Sequence, residues 1–175
     1  SDAIVAAADA EDPNGTSMRE HLFGYDHATS GGIVNKDNTY NHGETIATLS
    51  VSDTACYNAP YKNLGLDTHV LKNIPYVTGT DDLLWADCSM VWPDIEAKLE
   101  QVIQNACGII VEPIVQGAGG MKIYSADFLK RLAQYAKAHD CYLIADEVMT
   151  GLGRTGRWLA SHHAGIQPDL ICLSK

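Results

Sequence analysis

The apolar positions of this chain fall into two regimes, periodic from residue 93 onward and irregular before it. Ile95, Leu99, Val102 and Ile103 recur at the spacing of one helix face. Pro93 stands at the first helical position and Asp94 and Glu96 in the first turn, beside the positive end of the dipole, so the pattern predicts a helix over 93–105. Gly-Ile-Ile-Val at 108–111 is a short apolar run suited to a strand buried on both faces, and Glu112-Pro113 ends it. A glycine-rich connection over 116–120 follows. Ser125 can cap a second helix whose Phe128, Leu129, Leu132, Tyr135 and Ala136 share one face, with Lys130, Arg131 and Lys137 mainly outside it. Residues 142–145 and 169–173 are two more buried strands. Between them 157–164 reads as a short helix closed by Gly165, with Pro168 beyond.

The first part of the chain is loosely patterned. Residues 1–10 are alanine-rich with Ile4 and Val5, which predicts a helix capped by Ser1 and stopped by Asp12-Pro13-Asn14-Gly15. No period is sustained over 11–41, and a connection of that length inside a compact domain implies either function or weak definition. Ile46, Leu49 and Val51 are spaced to begin a helix. Residues 56–92, with Pro60, Pro75 and the acidic turn Asp81-Asp82, read as loop with short strands.

Helix and strand alternate at crossover spacing over 93–175, so the fold class is α/β, with a mostly parallel sheet and helices on both faces. One partial domain over 1–175 is expected, its first part (1–92) weakly defined and its second (93–175) clear. The start on Ser1 without Met and the end on Lys175 directly after a strand read as part of a larger protein. In such sheets ligands bind beyond the carboxyl ends of the strands. Those ends carry Glu112, Asp146-Glu147 and Ser174-Lys175, so three strands bring ionisable groups to one edge.

Composition narrows the possible partners. Twelve basic against twenty-two acidic residues give a net charge of −10 and a pI near 4.9, with no basic run, which argues against nucleic acid. No stretch of eighteen apolar residues and no signal-peptide pattern occurs, so a cytoplasmic protein without a membrane partner is expected. The five cysteines lack C-x-x-C spacing and read as reduced, packed thiols, and the adjacent His162 and His163 do not suggest a metal site.

Two constellations carry candidate chemistry. Gly151-Leu152-Gly153-Arg154-Thr155-Gly156 matches G-x-G-x-x-G, but four residues separate Asp146 from the first glycine and no apolar helix opens at the third, so a dinucleotide site is disfavoured. No Gly-Lys-Ser/Thr follows any glycine run, which excludes a P-loop. The second constellation is Asp146 with Lys175, at the ends of neighbouring strands. A buried carboxylate costs several kcal/mol without a partner. An ion pair or cap would satisfy Asp146, and Lys175 alone could be a solvated strand end. Together they suit pyridoxal phosphate catalysis, in which a lysine amine forms a Schiff base and a carboxylate keeps the pyridine nitrogen protonated.

At these residues the sequence resembles the class III aminotransferases, of the fold-type I pyridoxal phosphate architecture. The likeness runs through Val111 to Met121 (VEPIVQGAGGM), Leu143 to Val148 (LIADEV), Gly151 to Gly156 and Pro168 to Lys175 (PDLICLSK), and extends upstream to His42-Gly43-Glu44-Thr45 and Leu49 to Asp53. It implies a large-domain fragment that binds pyridoxal 5'-phosphate, acts on a small-molecule amino donor and keto acceptor, and forms a homodimer in the parent protein. Residue by residue, it implies Lys175 as Schiff-base lysine and proton shuttle, and Asp146 as partner of the pyridine nitrogen. It also implies Arg154 at the substrate mouth, Glu44 where the family has an acid near the substrate amino group, and Glu112 as an acid near Asp146. Beside His42, the family's ring-stacking aromatic falls either at Tyr40, one residue early, or is lost to Asn41. Ser1 stands where a Gly-Ser would bind the cofactor phosphate, without the glycine. The wording of 116–121 and 50–53 is most like the branch that takes its amino group from S-adenosylmethionine. Other branches using ω-amino acids or diamines, and a catalytically silent α/β fragment, are the alternatives.

Overall fold

The computed structural model describes residues 50–51, 66–117 and 120–174, and the backbone of 3–7. Its main sheet has five strands in the order β2-β1-β4-β7-β8: Thr68–Val70 (β2), Ala3–Ala7 (β1), Ala106–Val111 (β4), Tyr142–Asp146 (β7) and Leu170–Cys172 (β8). The three strands expected from the apolar runs, β4, β7 and β8, lie parallel to one another. The sheet as a whole is mixed, because β1 runs antiparallel to both β2 and β4.

That arrangement corrects the helix expected over 1–10. Ala3–Ala7 is a strand that pairs along β4 from Ala3 opposite Val111 to Ala7 opposite Ala106. Alanine's helix propensity is worth only tenths of a kcal/mol per residue, and a strand edge offering a full ladder of backbone partners outweighs it.

The second half follows the pattern closely. Ser125 accepts the Phe128 N–H at 3.1 Å and opens the helix Ala126–Ala138 (α3). The helix predicted over 93–105 forms as Trp92–Leu99 (α2), then breaks after Glu100 and resumes as a 3-10 turn at Ile103–Asn105. The expected helix over 157–164 is a 3-10 turn at Ala160–His163, closed by Gly165 at φ 63°. Residues 66–92 carry β2, the two-residue strand Tyr76–Val77 (β3) and a one-turn helix Leu83–Ala86 (α1). Asp82 caps α1 by accepting the Leu84 N–H. The strand β3 joins Val115–Gln116 (β5) and Lys122–Tyr124 (β6) in a small antiparallel sheet, ordered β3-β6-β5.

Strand alternation divides the core into two faces. Ile109, Val111 and Leu143 pack with Trp92, Ile95 and Leu99 of α2 and Phe128, Leu129 and Leu132 of α3. Edge-to-face contacts from Phe128 to Tyr124 (5.0 Å) and Trp92 (6.3 Å) knit this side together. Ile110, Ile144 and Cys172 face the other way and pack with Val51. Among the described residues α2 and α3 therefore cover one face of the sheet, and helices on both faces are not seen there. No described helix is long and apolar enough to cross a membrane. Cys88, Cys107, Cys141 and Cys172 are buried.

Candidate active site

The parallel strands end together. Val111 pairs with Ala145, so Glu112 leaves β4 at the level where Asp146 closes β7, and Asp146 itself pairs with Cys172 of β8. Leu173 and Ser174 continue past that edge.

Asp146 is fully buried, and its Oδ1 accepts the Val148 N–H at 3.1 Å, which turns the chain out of the strand. Cys172, in register with it, has its thiol pushed up to about 12 by burial and then by the charge of Asp146. The thiol therefore stays protonated.

Glu112 is buried as well. Its carboxylate folds back to accept the Gly117 N–H at 2.5 Å, and its carbonyl accepts the Tyr124 hydroxyl. The acid thus shapes the loop that carries it. Within that loop Ile114 has φ 67°, a left-handed conformation rarely adopted by a β-branched residue, and Tyr124 N–H bonds its carbonyl at 3.1 Å. Gln116 accepts the Tyr76 hydroxyl at 2.6 Å, while its Nε2 is buried without a partner. A side chain at Gly117 would run into the Met149 thioether, so the hairpin seats directly on the loop after Asp146.

Glu147 turns away from the edge. It is 1% exposed, and its carboxylate accepts the Thr150 hydroxyl (2.7 Å), the Ala160 N–H (2.9 Å) and the Ser161 N–H (2.8 Å). The glycine run that follows is a chain of turns, with Leu152, Gly153 and Gly156 at positive φ, and so has none of the helix a dinucleotide fingerprint would open. Arg154 sits on it, exposed to solvent. It borders two clefts. One, of about 320 Å³, lies among Val148, Gly151, Leu152 and Ser174. The other, of about 480 Å³, is walled by Trp85, Ile114, Met121, Ile123 and Met149.

The structure thus brings Asp146, Arg154 and the approach to residue 175 to one edge. Lys175, Ser1, Tyr40, His42 and Glu44 lie outside the described residues. Sequence reasoning missed the register of Asp146 with Cys172, the seat of Met149 on Gly117 and the role of Glu147. A second acid directly after an apolar strand was the one available signal for the last of these. Among the described residues no cluster of His, Cys, Asp or Glu could hold a metal ion.

A buried carboxylate closing a parallel strand of a mixed α/β sheet, with an arginine loop beside it, defines an α/β enzyme fold whose ligand edge is at the strand ends. The sequence profile described as Aminotransferase class-III matches residues 11–175, and the chain belongs to that family, whose members are pyridoxal-phosphate-dependent transaminases. It is 43% identical over 147 residues to the adenosylmethionine-8-amino-7-oxononanoate aminotransferase of Synechococcus elongatus, covering 82% of this chain and 33% of that one. The Helicobacter pylori enzyme of the same name is 37% identical over 146 residues, covering 82% and 31%. The chain thus spans about a third of the length of these curated relatives. Among solved structures it resembles a thermostable omega transaminase engineered for asymmetric synthesis of bulky amines, with a TM-score of 0.62 and 27% identity, over 79% of this chain and 31% of that one.

Proposed function

We propose that the protein to which this chain belongs transfers an amino group from S-adenosylmethionine to 8-amino-7-oxononanoate, a step of biotin synthesis, as a cytoplasmic homodimer with this chain in its cofactor-binding domain. The observation that carries the reading is Asp146, a fully buried carboxylate at the carboxyl end of β7, in register with a thiol kept neutral. Such a carboxylate fits the pyridinium of pyridoxal phosphate, a cation that would offset its burial. When bound, the cofactor supplies an electron sink. Asp146 holds the ring-nitrogen proton there, and the amine of Lys175 anchors the cofactor and carries a proton to and from the substrate carbon, a task worth about 10²–10⁴-fold. Arg154 stands at the substrate mouth. Glu44 takes a place near the substrate amino group and Tyr40 and His42 a place by the cofactor ring, whereas Ser1 is not assigned to the phosphate, because residues 3–7 form a strand and not the helix whose start would bind it.

The names of the relatives from Synechococcus elongatus and Helicobacter pylori support this choice of donor and acceptor. The likeness to an omega transaminase favours a second reading, an ω-amino acid or diamine as donor. Mixing the full-length enzyme with candidate donors separates them. Loss of the visible absorption of the lysine-bound cofactor with S-adenosylmethionine, and none with 4-aminobutyrate or ornithine, is the expected result. The reverse pattern overturns the first reading for the second.

A further inference from the structure

We infer that Glu147 is a positioning residue that fixes the Arg154 loop, and through it the binding of carboxylate-bearing substrates. The substrate part of this inference rests on the proposed function; the structural part does not.

The loop has two buried roots and an exposed span. Thr150, Ala160 and Ser161 are fully buried, whereas Leu152 is 44% and Trp158 67% exposed, and Arg154 and Arg157 are exposed between them. Apolar packing therefore does little to hold residues 152–158. Both roots converge on one side chain. The Glu147 carboxylate accepts Thr150 Oγ1–H at the start of the loop and the Ala160 and Ser161 N–H groups at its end. The main chain of the same residue adds one further segment and a second tie to the first root. Glu147 N–H donates to the Cys172 carbonyl at 3.0 Å, and its carbonyl accepts the Gly151 N–H at 2.8 Å. One buried acid thus locks the loop to β8 and hence to the chain entering residue 175.

All three donors to the carboxylate are neutral N–H or O–H groups, so the site needs an acceptor at both oxygens. An amide there would set N–H against N–H at one oxygen position, and a buried donor left unpaired costs more than the bond itself contributes. The span that this clamp fixes is a chain of turns, with Gly153 N–H to the Trp158 carbonyl and Gly156 N–H to the Gly153 carbonyl, and with His163 Nε2 3.0 Å from the Thr155 carbonyl oxygen. Arg154 rides on it at the border of both clefts. Adjacent acids therefore divide the work, with Asp146 facing the sheet edge and Glu147 holding the loop that frames it.

The test uses the full-length enzyme. In Glu147→Gln, tryptic cleavage after Arg154 and Arg157 should speed up on the order of tenfold, the loss of one charge-assisted hydrogen bond or more. The KM for a carboxylate-bearing donor should rise on the order of tenfold. The kcat should stay within about threefold and the cofactor spectrum unchanged, because positioning acts on uniform binding. Thr150→Val, which removes one donor and keeps the charge, should show a smaller effect of the same kind. Ser161→Ala is the control: its hydroxyl is buried without a partner, and only its main chain reaches Glu147, so cleavage and KM should not move. Wild-type cleavage rates in both Thr150→Val and Glu147→Gln overturn the clamp, and Thr150→Val alone decides it where Glu147→Gln fails to fold. Faster cleavage with unchanged KM overturns the link to substrate binding. The cleavage readout needs no turnover, so an enzyme inert toward S-adenosylmethionine would count against the proposed function and leave the clamp standing.

Discussion

Asp146 and Cys172 are register partners at the carboxyl ends of adjacent parallel strands, one a buried carboxylate and the other a buried thiol. Burial and then the Asp146 charge push the Cys172 thiol from its ordinary 9.0 up to about 12. Because the folded state holds this proton more tightly than the unfolded chain, the stability it contributes is fully present below about pH 9 and is lost as pH rises toward about 12. Serine does not titrate in that window. The stability of the wild type relative to Cys172→Ser should be flat up to about pH 9 and should fall above it, measured by denaturant unfolding at stepped pH. A difference that stays flat to about pH 10.5 would contradict the neutral-thiol account.

The carboxylate itself is tested by Asp146→Asn in the full-length enzyme. The amide keeps the size of the side chain and can still accept the Val148 N–H through its carbonyl oxygen, so the turn out of β7 should survive. What disappears is the negative charge that the proposed role sets against the ring nitrogen. Cofactor binding, followed by its visible spectrum, should persist in weakened form while kcat falls by about 10²–10³-fold, the usual scale for losing a group placed at developing charge. Wild-type turnover in this variant would remove Asp146 from the proposed role.

Gly151 and Gly153 separate two reasons for glycine within one loop. A Cβ at Gly151 would lie 2.7 Å from the carbonyl oxygen of the buried Glu147 and 2.9 Å from Cδ2 of Leu173, which is itself exposed. Gly151→Ala should destabilise by about 1–3 kcal/mol through overpacking, and it should also loosen the Glu147 clamp. Gly153 has open space around it but φ 89°, so Gly153→Ala meets backbone strain alone, about 1–2 kcal/mol. Thermal unfolding checks the stability costs, and tryptic cleavage at Arg154 should rise more in Gly151→Ala than in Gly153→Ala.

How far the sequence foretold all this differs along the chain. Ser125, the Phe128–Leu132 stripe and the apolar runs of β4 and β7 reported their own structure, because period, cap and burial agree there. Ala3–Ala7 misled because its composition states a weak local preference and its partner, β4, lies a hundred residues away in sequence. Asp146 was legible as a candidate because a carboxylate ending an apolar strand is costly to bury, and the structure does bury it. Glu147 was not, since its partners Ala160 and Ser161 are main-chain donors that any sequence would provide. The left-handed Ile114 was likewise invisible, as nothing about isoleucine announces a conformation it normally avoids.

Asp127 offers a test far from the site, where the first turn of α3 meets the turn before α2. Its Oδ2 accepts the Cys88 N–H at 3.0 Å and the Arg131 Nε–H at 2.8 Å, and Arg131 also reaches Asp87 at 3.2 Å. Burial alone would raise the Asp127 carboxyl, but the hydrogen bonds from Arg131 and from the Cys88 N–H outweigh it and hold the group below its ordinary 3.8. A depressed folded value means that the stability is present above the unfolded pKa and is lost as pH falls through the folded one. Asp127→Asn removes an ion pair that solvent partly screens and weakens a backbone hydrogen bond that ties α3 to residue 88, so it should cost about 1–2 kcal/mol at neutral pH. That cost should shrink below about pH 4 as the wild-type carboxyl takes up its proton. Urea unfolding of both proteins at neutral and acid pH gives the comparison. An undiminished cost in acid would mean that Asp127 acts by shape rather than by charge.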